Sequence, residues 1–277
     1  MCRAPRPVST VPPGLHVVEH HHPTASFGQH TATDAITVVL VHGSLDRGAS
    51  FARVARRLPD VPVVTYDRRG YHHSRGVLGV ARTLHEHVDD LLTVVGDGPA
   101  AVVGHSYGGD VALAAALRAP GAVRAVGAYE PPLPWMPWWP HRSASSIASE
   151  DPTAFAESFF RRMVGDAGWE RLSDEARGGL QADGPALVAE LSDLRRGGAP
   201  FDATALEVPL VLGRGGTSLP HHRQAVEALR AQVPAAEIVD IPGAGHGAQL
   251  THPDAFAAFV RRARLRATAS DASGGAA

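Results

Sequence analysis

Gly104-His105-Ser106-Tyr107-Gly108 is the stretch that most narrows what this chain can fold into. Residues 100–103 before it form a short apolar run that reads as a buried strand, and residues 111–117 behind it (VALAAAL) read as a helix. A serine therefore stands where a strand reverses into a helix within a few residues, a turn that holds its central residue in strained backbone geometry. A side chain at position 104 or 108 would collide with the neighbouring strand or helix across so sharp a turn, so both positions call for glycine. The turn lifts the Ser106 hydroxyl clear of the sheet, at the N-terminus of a helix whose dipole favours developing negative charge. The five-residue pattern alone recurs by chance; the strand before it and the helix after it give it the form of a nucleophile elbow.

The same alternation runs through most of the chain. Residues 36–41 (ITVVLV) are apolar throughout, as expected of a parallel strand covered on both faces. Further strands are expected at 15–20, 61–66, 123–129, 208–212 and 237–241, and helices at 51–58, 84–95, 223–232 and from 255 onward. Strand–helix repetition of this kind predicts an α/β fold with a mostly parallel sheet flanked by helices. The rhythm breaks at 132–206, where Trp135, Trp138 and Trp139 stand among prolines and no strand is legible. A helix is expected there behind Asp151-Pro152, a cap followed by a first-turn proline, and another over 185–195. The expected organisation is a core of 14–131 and 207–266, an inserted helical lid of 132–206 over the strand ends, and disordered tails at 1–13 and 267–277.

Composition excludes several classes of partner. A formal net charge of −2 over 277 residues gives no electrostatic footprint for nucleic acid or an anionic membrane. No apolar run approaches the roughly 20 residues of a membrane span. The first residues carry arginines without the apolar core of a secretory signal, and the one cysteine, Cys2, allows no intrachain disulfide, so a cytoplasmic setting is expected. His20, His21 and His22 alternate faces if they lie on a strand, which favours a solvated hairpin over a metal site.

From about residue 15 to 265 the chain resembles the α/β-hydrolase superfamily. The resemblance rests on V-H-G-S at 41–44, Y-D-R-R-G at 66–70, G-H-S-Y-G-G at 104–109, Y-E-P-P at 129–132 and P-G-A-G-H at 242–246. These motifs stand in the family's order, each at a strand's C-terminal end, where open α/β sheets place their sites. The resemblance implies Ser106 as nucleophile and His246, after the last strand, as the base that takes its proton. His42 corresponds to a structural histidine beside the oxyanion loop, and the ring of His105 should point away from the Ser106 side chain. His85, His87 and His252 are expected on solvated faces, and His72 and His73 at the surface or pocket rim.

The acid departs from the family's usual pattern. Most members carry an aspartate after the strand matching 209–212, but residues 213–218 here (GRGGTS) hold no carboxylate. The family's second placement, after the strand that follows the elbow helix, is occupied by Glu130. An acid there would hold the imidazole tautomer and stabilise the imidazolium, whereas a plainer reading has Glu130 capping the turn before Pro131. Asp110 is expected to serve the helix dipole, and Asp202 lies outside any matching motif. Oxyanion donors are expected at the N–H of Tyr107 and of Ser44, with the Ser44 hydroxyl either adding a contact or capping the following helix. The three tryptophans either line an apolar substrate cavity or pack lid to body, with Trp135 expected to reach substrate first.

The implied activity is hydrolysis of an ester, thioester, lactone or related carbonyl of a small, partly apolar molecule, without metal or organic cofactor. Carbon–carbon hydrolases, acyltransferases and lyases use the same serine constellation. A non-catalytic ligand-binding or pathway protein on the same fold is the other class, favoured by the empty acid position and opposed by the retained Ser106, His246 and oxyanion loop. The sequence is silent on oligomeric state.

Overall fold

The computed structural model of the chain describes residues 14–20, 36–76, 78–140 and 142–273. The strands are β1 (Val17–His20), β2 (Thr37–Val41), β3 (Val63–Tyr66), β4 (Ala100–His105), β5 (Val123–Tyr129), β6 (Leu210–Gly215) and β7 (Glu237–Ile241). They form one sheet in the order β1-β3-β2-β4-β5-β6-β7. β1 pairs antiparallel with β3 at the edge, and the remaining neighbours are parallel.

Parallel strands need cover on both faces, and alternate side chains provide for it. In β2, Val38 and Leu40 join one core with Phe51, Leu58, Phe256 and Phe259, while Val39 and Val41 join another with Leu84, Leu91 and Val111. All four β2 residues are at most 1% exposed, and a fully buried side chain of this size contributes about 1.5–3 kcal/mol. The first core is closed by α1 (Ala52–Ala55) and the last helix, and the second by α2 (Leu84–Val95), α3 (Tyr107–Arg118) and a later helix over Pro220–Gln232. β2 lies between β3 and β4, so the strand order reverses beside it. The crevice outside the carboxyl ends at such a reversal is where open α/β sheets bind ligands.

Between β5 and β6 the chain forms α4 (Ala144–Ala148), α5 (Pro152–Val164), α6 (Asp166–Glu170), α7 (Asp174–Ala182) and α8 (Gly184–Asp193), with no strand among the described residues. Asp151 caps α5 through Oδ1, which accepts from Thr153 N at 3.0 Å, and Pro152 opens the helix. Ile147, Phe155, Ala156 and Leu187 give these helices a small core of their own, and Leu45 from the loop after β2 plugs into it. Both ends of α8 are tied to the body. Asp183 Oδ1 accepts from His72 N at 3.0 Å, and Asp193 Oδ2 from Leu84 N at 2.8 Å.

After β6 come α9 (Pro220–Gln232), β7, α10 (Ala248–Thr251) and α11 (Pro253–Ser273). α11 runs past residue 266, where the core was expected to give way to a disordered tail at 267–277. Ala263 and Ala267, one turn apart, are both buried against the sheet side, so the apolar stripe outlasts the visible motif. The expected tail at 1–13, and His21 and His22, lie outside the described residues. Among the described residues, no helix is long and apolar enough to cross a membrane.

Candidate active site

The turn at Ser106 is as tight as its glycines require. Ser106 sits at φ 54°, ψ −129°, a conformation that L-residues avoid. A Cβ on Gly104 would lie 2.0 Å from Gly108 O, and one on Gly108 would lie 2.2 Å from Val41 O. The strained turn is held by Ser106 N donating to Tyr129 O at 2.9 Å and Gly109 N donating to Ser106 O at 2.7 Å. Sheet register brings His105 level with Tyr129 on β5, and Val41 on β2 level with Gly104. The ends of three adjacent strands therefore deliver the loop at 42–44, Ser106 and Glu130 to one crevice.

Glu130 has no exposed surface and takes a positive φ of 47°. Its Oε2 accepts from His246 Nδ1 at 2.8 Å and its Oε1 from Gly215 N at 2.7 Å, so both oxygens are satisfied. The loop that lacks a carboxylate thus supplies a backbone donor to the carboxylate of the neighbouring strand. With its Nδ1 proton held by Glu130, a neutral His246 has Nε2 free to accept a proton. Burial, reinforced by His105 and His221, pushes His246 well below the ordinary histidine range. Among the described residues no hydrogen bond joins Ser106 Oγ to His246. Such contacts are often long in unliganded sites and tighten when substrate binds.

The His246 ring is flanked on two sides by histidines that the sequence did not connect with it. His222 stacks on His246 with ring centroids 4.1 Å apart and planes at 19°. Burial pushes His222 down to about 2, with His246 adding to the effect, so its ring is neutral across the working range. His105 lies 4.8 Å from the His246 ring, and its Nε2 donates to His246 O at 2.7 Å. His222 does carry a signal: it shares an i, i+3, i+4, i+7 stripe with Ala225, Val226 and Leu229 on α9, and a histidine on a buried face needs a reason.

The tryptophans divide. Trp135 packs edge-on against Phe201, 5.6 Å between centroids, which joins the start of the insert to its end, and both rings pack against the core of the body. Trp139 makes edge contacts to His221 at 4.7 Å and to His222, the ring stacked on His246, at 5.5 Å. Trp138 stands beside it at 6.1 Å. The expectation that Trp135 reaches substrate first rested on its closeness to Glu130 in sequence, whereas the ring contacts tie Trp139 to the histidine that stacks on His246.

A second buried cluster surrounds the loop after β2. Arg68 Nη2 donates to Gly43 O at 2.9 Å and Nε to His42 O at 3.0 Å, while Arg68 N donates to His42 Nε2 at 2.9 Å. The guanidinium lies 4.8 Å from the ring centres of both Tyr71 and Tyr107. Its Nη1 donates to Glu190 Oε1 at 2.5 Å, and Ser44 Oγ donates to Glu190 Oε2 at 2.8 Å. The Ser44 hydroxyl is therefore turned to Glu190 and neither caps a helix nor lies free. Burial opposes the charge of Glu190, but Arg68 and His87 outweigh it and hold its carboxyl at about 2. His87, expected on a solvated face, is buried against Arg68, whose Nη1 meets its Nε2 at 3.2 Å. Asp110 also departs from expectation. It is buried with neither oxygen paired, and burial drives its pKa well up, which opposes the charge that a helix-dipole role needs.

Among the described residues, two groups have ligand atoms close enough to consider a metal: Asp67, His72 and His73, and Glu130, His222 and His246. In the second, the nearly parallel His222 and His246 rings point their in-plane lone pairs side by side instead of toward one point. In the first, Asp67 already accepts from Gly48 N at 2.8 Å and His73 N at 3.2 Å, and Arg47 occupies His72 Nε2 at 2.9 Å. Neither donor set is arranged around a cation.

A mostly parallel sheet with a serine at a strand-to-helix elbow, a glutamate–histidine pair on the loops after β5 and β7, and a helical insert is the architecture of an α/β hydrolase. The chain belongs to the alpha/beta hydrolase family, whose model matches residues 38–259. Lipase LipV from Mycobacterium tuberculosis is 35% identical over 97 residues, covering 34% of this chain and 36% of the relative. Monoacylglycerol lipase from Mycolicibacterium smegmatis is 35% identical over 98 residues, covering 32% of this chain and 35% of the relative. The matches thus span about a third of the length of these curated relatives. A thermophilic esterase from Thermogutta terrifontis has the same fold, with a TM-score of 0.68 at 21% identity over 92% of this chain and 93% of that one.

Proposed function

We propose that the chain is a serine hydrolase that cleaves an ester, thioester or lactone of a small apolar molecule through an acyl-enzyme on Ser106. The observation that carries the reading is the fully buried Glu130, which accepts from His246 Nδ1 and Gly215 N and so aims a neutral imidazole. Ser106 Oγ attacks the carbonyl carbon while its proton passes to His246 Nε2, and the new imidazolium faces the Glu130 carboxylate. The carbonyl oxygen becomes an oxyanion, taken up by the N–H groups of Ser44 and Tyr107, neither of which meets an acceptor among the described residues. Collapse of the intermediate expels the alcohol or thiol, which leaves with the proton from His246. Water then attacks the acyl group through the same base and releases the acid, restoring Ser106.

The helices of 132–206 act as a lid, with Trp139 and Trp138 giving an apolar wall beside the base. Two partial relatives are named lipases, which favours a carboxylic ester as substrate. Reaction with a fluorophosphonate and turnover of p-nitrophenyl esters test the reading. Wild type should label and turn over, and Ser106→Ala should do neither, with kcat down by roughly 10⁴ to 10⁶. A folded wild type that neither labels nor turns over overturns it.

A further inference from the structure

The loop that carries Ser44 is shaped by contacts from outside the sheet. Gly43 O is held by Arg68 Nη2 at 2.9 Å and by His42 Nδ1 at 2.8 Å. No cis peptide is present among the described residues, so the N–H of Ser44 points away from that carbonyl and from the guanidinium. A Cβ on Gly43 would lie 2.9 Å from Ser106 Cβ, which puts this peptide against the nucleophile. Arg68 in turn is held by Glu190 of α8, which also takes the Ser44 hydroxyl. One residue on, Leu45 takes a positive φ of 52° and packs among Ile147, Phe155, Ala156 and Leu187 of the insert. Residues 44 and 45 are thus each anchored to the helical insert, 146 residues of sequence separating Ser44 from Glu190. The same guanidinium packs on the Tyr107 ring, whose backbone N–H is the other donor.

We infer that Glu190 is a positioning residue for the oxyanion site: through Arg68 and the Ser44 hydroxyl, the insert sets the orientation of the Ser44 N–H. The inference rests on the serine-hydrolase reading above. α8 is then a fixed part of the catalytic framework, and opening of any lid has to occur in other helices, because both ends of α8 are also bonded to the body. A buried carboxylate held between a guanidinium and a hydroxyl suits this work. The pair is fully charged and cannot rotate without leaving one charge unpaired.

The test uses the whole chain with a chromogenic ester, active-site titration, and a trifluoromethyl ketone. Such a ketone takes Ser106 Oγ onto its carbonyl carbon, gives the serine proton to His246 and leaves the oxyanion in the site. Glu190→Gln keeps volume but removes the charge and one of the two acceptors, since its amide nitrogen only donates. Ser44→Ala keeps the N–H and removes only the anchor. For both, kcat per titrated site should fall by about tenfold to a hundredfold, with KM changed by less than about threefold and ketone affinity falling in step with kcat/KM. The pH midpoint of kcat/KM should stay in place, because the base is untouched. Replacing the pair together, Arg68→Met with Glu190→Met, should bring the Tm back toward wild type without restoring kcat. Unchanged kcat and ketone affinity in both single variants overturn the inference, as does a return of kcat along with the Tm in the double variant. Failure of wild type to react with a fluorophosphonate instead overturns the hydrolase reading.

Discussion

Two glutamates frame this site, one at the end of β5 and one on α8, and both are removed from solvent. Glu130 is bonded to groups that are neutral at rest, a backbone N–H and an imidazole. Glu190 is bonded to a guanidinium that is always charged and to a serine hydroxyl. The first carboxylate faces a partner whose charge appears only as a proton arrives, so its attraction is greatest in the transition state. The second has its counter-charge permanently in place, so its own ion pair is unchanged along the reaction, and it acts on the rate only through the geometry it imposes on the loop after β2. Equal burial therefore goes with opposite roles, and the partner decides which.

The largest break in that contrast comes from Glu130→Gln. A glutamine amide facing His246 Nδ1 favours the tautomer with its proton on Nε2, where the base needs a lone pair. Turnover should fall by up to about 10⁴-fold while the melting temperature moves little. Thr217→Asp in that background, restoring a carboxylate to the loop after β6, should recover part of the loss. Steady-state kinetics of the two variants decide it, and full activity in Glu130→Gln would remove the acid assignment.

Stability should show the reverse order. Glu190→Ala strands the Arg68 charge in the interior and should cost about 3–5 kcal/mol in denaturant unfolding, well beyond the cost of Glu130→Gln. A smaller effect follows at the stack on the base. His222→Phe keeps a flat neutral ring against His246 and should hold kcat within about threefold, while His222→Ala frees the ring and should lower kcat by about tenfold. If both variants behave alike, stacking does not orient the base.

The smallest expected effect is in pH. His246 must be neutral to accept the serine proton, and burial disfavours its imidazolium, so activity is lost only as pH falls through a value below the ordinary 6.5. Between pH 8 and 6.5, kcat/KM should change by less than about twofold. An acid limb centred above 7 would mean that the Glu130 carboxylate outweighs burial.

The legible features and the hidden ones differ in how far apart the partners lie in the chain. The elbow, the apolar strands and the cap at Asp151 could be read because sterics and periodicity act over a few residues. Glu130 was reached by finding the usual loop empty and a carboxylate at the neighbouring strand end. Glu190 carried a fainter trace, a charge at i+3 from Leu187 and four residues before Leu194 on a stripe that is otherwise apolar. Nothing local connects that trace with Ser44 or Arg68.

The sequence by itself determined the α/β alternation and the serine in its turn, because each is set by short-range geometry and residue chemistry, whereas His246 and Glu130 were singled out only by what the family resemblance implies. The tertiary structure alone decided that Trp139 contacts the histidine stacked on His246, that His222 and His105 flank that ring, and that the insert holds the loop after β2. Those contacts join elements brought together by sheet order and helix packing. Their strength comes from a desolvated interior, where an unpaired charge is costly and a neutral ring stays neutral.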